Sequence, residues 1–116
     1  MFGKKYKNKK TSRGGRSFAS KGEAGLYDYL FIKEKAREIF NLKCQVQVYL
    51  TEANILYKPD FSYESDGQVI YCEYKGFETA IWRIKRRLWE HYGPGKLEVY
   101  KGLGLRMFLV ETIIPK

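Results

Sequence analysis

From Ser20 to Phe40 apolar residues recur at helical spacing, with Ala24, Tyr27, Leu30, Phe31 and Ile39 on one face and Lys33, Glu34, Lys35, Arg37 and Glu38 opposite. Ser20-Lys21-Gly22-Glu23 is a capping-box pattern, so the first helix is predicted to open there and run to about Phe40. Asn41-Leu42-Lys43 breaks the periodicity. From Cys44 to Thr51 the period becomes two, Gln45, Gln47 and Tyr49 alternating with Val46, Val48 and Leu50, which predicts a strand. After Glu52-Ala53-Asn54, Tyr57 to Tyr63 is rich in aromatics, Ser65-Asp66-Gly67 is a turn signal, and Gln68 to Lys75 alternates again, the pattern of a β-hairpin. Gly76 closes its second strand. Thr79 to Tyr92 predicts a second helix with Ile81, Ile84, Leu88 and Tyr92 inward, stopped by Gly93-Pro94-Gly95. Lys96 to Lys101 and Arg106 to Ile114 predict two last strands around a turn at Gly102-Leu103-Gly104. The expected order is α-β-β-β-α-β-β, an α/β class without internal repeats.

A chain of 116 residues makes one domain, and 44% hydrophobic residues suffice for its core. Its first segment does not join that core. Residues 1–19 carry Lys4, Lys5, Lys7, Lys9, Lys10, Arg13 and Arg16 without an acid, so most of the net charge of +9 lies in the first sixth of the chain. That composition predicts a basic, flexible arm over 1–19 ahead of a folded domain over 20–116. Such a field attracts polyanions, of which nucleic acid is the commonest for a small soluble protein; a merely solubilising tail is the plainer alternative. Arg83, Arg86 and Arg87 share one face of the second helix, with Lys85 nearby, as a further phosphate-binding surface. No apolar run approaches the roughly 20 residues needed to cross a bilayer, and the basic start lacks a signal-peptide core, so a cytoplasmic protein with no membrane partner is expected. Cys44 and Cys72 have no metal-site spacing and are expected as buried thiols. His91, the lone histidine, is expected at the surface, and Trp82 and Trp89 as core or contact aromatics rather than base-stacking platforms.

The hairpin carries the candidate chemistry. Alternation puts Glu73 and Lys75 on one side of their strand, and Asp60, after Pro59 on the neighbouring strand, can face them if the two strands pair. Carboxylates at 4 Å repel by up to ~4 kcal/mol at an effective dielectric near 20, so such a group wants a cation. Magnesium fits, because it takes hard oxygen ligands from one or two carboxylates and keeps places for water and phosphate. Lys75 beside it would orient an attacking water and steady charge on a phosphate, the logic of a nuclease centre. The backbone carbonyl of Tyr74 is a candidate additional ligand, and Glu23 could reach the same place to hold a metal or a water. The bland alternatives are that Glu23 is only the third residue of its capping box and Lys75 a solvated strand residue.

Asp60, Glu73 and Lys75, with Glu23 in the preceding helix, resemble the PD-(D/E)XK, or restriction-endonuclease-like, nuclease superfamily. More closely, the chain is similar to a small phage and prophage family related to endonuclease I type Holliday junction resolvases. The resemblance rests on Lys9-Lys10-Thr11, Phe18-x-Ser20-Lys21-x-Glu23-Ala24, Leu42-x-x-Gln45, Asp60-Phe61-x-Tyr63, and Glu73-x-Lys75-Gly76-x-x-Thr79 followed by Ile84-Lys85. It implies a mixed central sheet flanked by helices, Mg2+ or Mn2+ held by Glu23, Asp60 and Glu73, water activation by Lys75, and Gln45 as an auxiliary residue beside the site. It also implies a homodimer acting on branched DNA such as a four-way junction, in the cytoplasm of a phage-infected or prophage-bearing bacterium. Val46 stands where that family tends to have proline, and Gly22 is an unusual residue for a helix's first turn. Two rivals remain: a nicking or repair nuclease of the same fold acting on flaps or duplex, and a non-catalytic basic nucleic-acid-binding domain.

Overall fold

The hairpin forms around the expected turn, with its first strand later in the chain than the pattern predicts. In the computed structural model, which describes residues 11–13 and 16–116, nine strands and two α-helices are found among the described residues. They are β1 (Thr11–Arg13), β2 (Arg16–Phe18), α1 (Lys21–Lys35), β3 (Phe40–Cys44), β4 (Val48–Tyr49), β5 (Leu56–Tyr57), β6 (Phe61–Ser65), β7 (Gln68–Tyr74), α2 (Ala80–Tyr92), β8 (Leu97–Lys101) and β9 (Phe108–Ile113). Strands β6 and β7 pair antiparallel from Ser65 opposite Gln68 to Phe61 opposite Cys72. The turn residues Asp66 and Gly67 both have positive φ, 52° and 75°. A two-residue turn of that hand matches the strand twist, and Asp-Gly is a pair that adopts it without much strain.

This hairpin is the middle of a five-stranded mixed sheet in the order β3-β6-β7-β8-β9. Its pairs are antiparallel except for parallel β7 and β8. A parallel pair needs a crossover, and α2 supplies it. The two sheet faces carry different cores. Leu26 and Leu30 of α1 pack with Phe61, Ile70 and Cys72 on one face, while Trp82 and Trp89 of α2 pack with Leu97, Val99 and Tyr57 on the other. The architecture is therefore α/β, a mixed sheet with a helix on each face. No helix among the described residues is long and apolar enough to cross a membrane.

Several sequence expectations need correction. Helix α1 ends at Lys35, not near Phe40. Arg37 takes a left-handed φ of 61°, the Arg37 N–H donates to the Glu34 carbonyl, and the Glu38 N–H to that of Lys33. This is a Schellman stop built without the usual glycine, so no residue advertised it. The expected strand from Cys44 to Thr51 is divided. Gln45 turns at φ 53°, and the chain leaves the main sheet there to pair β4 with β5 in a separate two-stranded ribbon; Tyr57 thus belongs to β5, and β6 begins at Phe61.

The inward face of α2 is also different. Trp82 and Trp89 are buried, whereas Ile81 is 69% exposed and Ile84 60%, with Tyr92 exposed too. Two indoles seven residues apart share one helical face, and each buries more area than an isoleucine. The Trp89 ring packs edge-on to Tyr57 and Tyr71, while its N–H donates to the Gly95 carbonyl at 2.8 Å. Lastly, residues 11–13 and 16–18, within the segment expected as an arm, are strands. Strands β1 and β2 form a small hairpin, and Phe18 is buried 5.0 Å from the ring of Tyr27. Lys4, Lys5, Lys7, Lys9 and Lys10 lie outside the described residues, as does the side chain of Arg13. At the far end, Gly104–Arg106 is a 3-10 turn and β9 starts only at Phe108.

Candidate active site

Beyond Phe61 opposite Cys72, the next antiparallel step sets Asp60 beside Glu73. The Asp60 carboxylate accepts the Tyr74 N–H at 2.8 Å, which ties the start of β6 to the end of β7. Glu73 is buried and held at both oxygens. Tyr57 donates its hydroxyl to Oε1 at 2.8 Å, and the Lys75 amine lies 3.1 Å from Oε2. Lys75 in turn sits 4.7 Å above the Trp82 ring, so the core of α2 positions this amine from below.

Glu23 enters from α1. Its backbone N–H is capped by Ser20 Oγ at 3.1 Å, while its buried carboxylate accepts from Gln45 Nε2, also at 3.1 Å. Capping and site membership are thus compatible, because the cap uses the main chain and leaves the side chain free for the cleft. Gly22 permits this approach. A β-carbon at that position would overlap the Tyr74 ring, whose hydroxyl is anchored on the Gly102 carbonyl at 2.9 Å.

Glu23, Asp60, Glu73 and Lys75 line one cleft of about 630 Å³, together with Ser20, Lys21, Gly22, Tyr74 and the exposed Gly76, Phe77 and Thr79. Its electrostatics are those of crowded acids. Burial, then the charges of Glu73 and Glu23, push the Asp60 carboxyl well above its usual range against the pull of the Tyr74 N–H and Lys75. Burial followed by Glu73 raises Glu23, with Gln45 opposing. Glu73 is raised by burial, with Lys75, Tyr57 and the Asp60 main chain holding it down. Burial and the adjoining Glu73 drive the Tyr57 hydroxyl far up, so it stays a proton donor. Among the described residues, no group of three or more His, Cys, Asp or Glu side chains is gathered into a set that could hold a metal ion.

The other expected residues divide. Gln45 reaches the site through Glu23 and also donates its main-chain N–H to the Asp60 carbonyl at 2.8 Å. Tyr74 joins the acids through its main-chain N–H, which donates to Asp60. The basic face of α2 is partly spent on structure. Arg86 bridges Glu90 and Glu111, Arg83 pairs with Glu78 at 3.5 Å, and Lys85 donates to the Leu56 carbonyl at 2.6 Å; Arg87 is exposed. Arg16 is exposed too, 5.9 Å over the Tyr27 ring. Cys72 is buried and Cys44 half-buried, both free. Tyr57 was not foreseen, since only the β4–β5 pairing brings it beside Glu73.

No curated protein matches the chain. The model of one family, described as a protein of unknown function (DUF1064), matches residues 3–106, which include Glu23, Gln45, Tyr57, Asp60, Glu73 and Lys75. The chain belongs to this DUF1064 family of proteins of unknown function.

Proposed function

We propose that this chain is a divalent-metal-dependent DNA endonuclease with a restriction-endonuclease-like core, acting as a homodimer on branched DNA such as a four-way junction. The carrying observation is that Glu23 of α1, Asp60 just before β6, and Glu73 and Lys75 at the end of β7 line one cleft in which burial raises the proton affinity of all three acids, Glu73 adds to that of Glu23, and Glu73 and Glu23 add to that of Asp60. Crowded, partly buried carboxylates are costly unless a cation or protons offset them. The donor set suits Mg2+ or Mn2+, which need only one or two carboxylates and fill the remaining positions with water and phosphate oxygens. Asp60 and Glu73 would hold the ion with support from Glu23. When bound, it supplies charge neutralisation and Lewis-acid polarisation at the phosphate.

The chain's own groups do the rest. Lys75, fixed by Glu73 and the Trp82 ring, presents an ammonium where charge builds on the phosphate and where an attacking water can be oriented. Gln45 steadies Glu23. Lys21 on the cleft rim, Arg87, Arg16 and the lysines of residues 4–10 grip the backbone of the nucleic acid. The preference for a junction, and the setting of a phage-infected or prophage-bearing bacterial cytoplasm, follow from the motif resemblance.

The test is cleavage of a labelled four-way junction, a flap and a linear duplex by wild type and Glu73→Ala, with and without Mg2+. Magnesium-dependent cutting that the variant loses by about 100-fold or more is expected, with the junction cut fastest. Faster cutting of flap or duplex would redirect the substrate. Tight binding without cleavage by either protein would leave a DNA-binding domain and end the enzymatic reading.

A further inference from the structure

The two oxygens of Glu73 have different masters. Oε1 receives the hydroxyl of Tyr57 on the buried side, and Oε2 meets the Lys75 amine. Tyr57 has little freedom to yield. It is only 8% exposed, its ring packs 6.2 Å from Trp82 and 5.7 Å from Trp89, and its strand is fixed by pairing with Val48 and by the bond from Lys85 to the Leu56 carbonyl. A carboxylate pinned in this way cannot turn about its last bond without breaking a buried hydrogen bond. It therefore offers the cleft one oxygen, the one it shares with Lys75.

That restriction has a chemical meaning for a dication. Mg2+ takes near-octahedral, single-oxygen contacts at about 2.0–2.1 Å, whereas Ca2+ takes six to eight oxygens and readily accepts both from one carboxylate. We infer that Tyr57 is a positioning residue that holds Glu73 to single-oxygen ligation and so sets the site's preference for a small octahedral dication over Ca2+. The inference rests on the metal-dependent reading above and deepens it, since it assigns the choice of ion to a side chain that does not line the cleft. With the hydroxyl gone, Glu73 is free to rotate and present both oxygens, which favours the larger ion.

Isothermal titration of Mg2+ and of Ca2+ into the full chain tests it, using wild type, Tyr57→Phe and Tyr63→Phe. The last is a control that removes a comparable hydroxyl, which donates to Glu98 at 2.7 Å. Loss of an outer-shell partner typically costs 10- to 100-fold in metal affinity, so Tyr57→Phe should weaken Mg2+ by about that factor while Ca2+ changes less than about threefold. Tyr63→Phe should keep the wild-type ratio. The inference is overturned if the two affinities in Tyr57→Phe move together or stay put while wild type binds Mg2+; wild type binding neither ion overturns both it and the metal-dependent reading. Should Tyr57→Phe fail to fold, infrared difference spectra of Mg2+-loaded wild type against Glu73→Gln decide the matter. A wide separation of the two carboxylate stretches marks single-oxygen ligation and supports the inference, and a narrow one marks ligation through both oxygens and refutes it.

Discussion

Replacing Asp60 by asparagine should stabilise the metal-free protein, although it removes a residue proposed to hold the metal. The side chains are nearly the same size, and the asparagine oxygen can still accept the Tyr74 N–H that Asp60 accepts at 2.8 Å. What disappears is a charge that burial disfavours and that also faces Glu73 and Glu23. A carboxylate pair about 5 Å apart at an effective dielectric near 20 repels by ~3 kcal/mol, of which Lys75 and the solvent on the open side return a large part, so a net gain of about 1–3 kcal/mol is expected. For a domain of this size that is a rise in melting temperature of about 4–12 °C. The pH dependence gives the sign independently. Asp60 has a folded-state proton affinity raised above that of the unfolded chain, so its contribution to stability is present at low pH and is lost as pH rises from the unfolded carboxylate range, near 4, through the raised folded value. The advantage of Asp60→Asn should therefore be small near pH 4 and grow toward pH 8. Circular-dichroism melts in a chelator from pH 4 to 8 measure it, and Mg2+ should then raise the wild type more than the variant. A variant less stable than wild type at pH 8, or a difference that ignores pH, would refute the account of crowded acids.

Gly22→Ala should destabilise by about 1–3 kcal/mol in urea titration through overlap with the Tyr74 ring. Helix propensity alone predicts a gain of about 1 kcal/mol, so the sign decides between them. Deleting residues 2–10 removes Lys4, Lys5, Lys7, Lys9 and Lys10. The slope of log affinity against log salt for a four-way junction should flatten by up to about 4–5, and an unchanged slope by fluorescence anisotropy would count against the arm as a phosphate contact.

What could be read in advance was whatever rested on local chemistry. The β6–β7 hairpin was legible because Asp66-Gly67 fixes its turn, and α2 because Thr79 caps its start, accepting the Trp82 N–H at 3.0 Å. Asp60, Glu73 and Lys75 were legible as a group because period two and a two-residue turn leave little choice of neighbours. The end of α1 was not, since Arg37 does what a glycine usually does. The buried face of α2 was misjudged because Ile81 and Ile84 repeat as regularly as the tryptophans, and periodicity does not weigh an indole that both fills the core and bonds to Gly95. Tyr57 was hidden for a different reason. Its role depends on a two-strand ribbon whose members are each only two residues long, below the length at which a pattern can be recognised.

The short β6–β7 turn also bears on the order of assembly. A hairpin closed by two residues forms in about 1–10 μs, whereas the parallel pairing of β7 with β8 must wait for α2 to form and dock. Asp60 and Glu73 are thus expected to come together early in folding, before Glu23 arrives with α1 and before the Trp82 surface is in place beneath Lys75. On that order, their repulsion has to be met before the rest of the cleft is built. A divalent cation, if it binds these acids, should then speed refolding in stopped-flow experiments as well as slow unfolding, making the ion a participant in building the cleft; an effect confined to the unfolding rate would place its capture after the chain has folded.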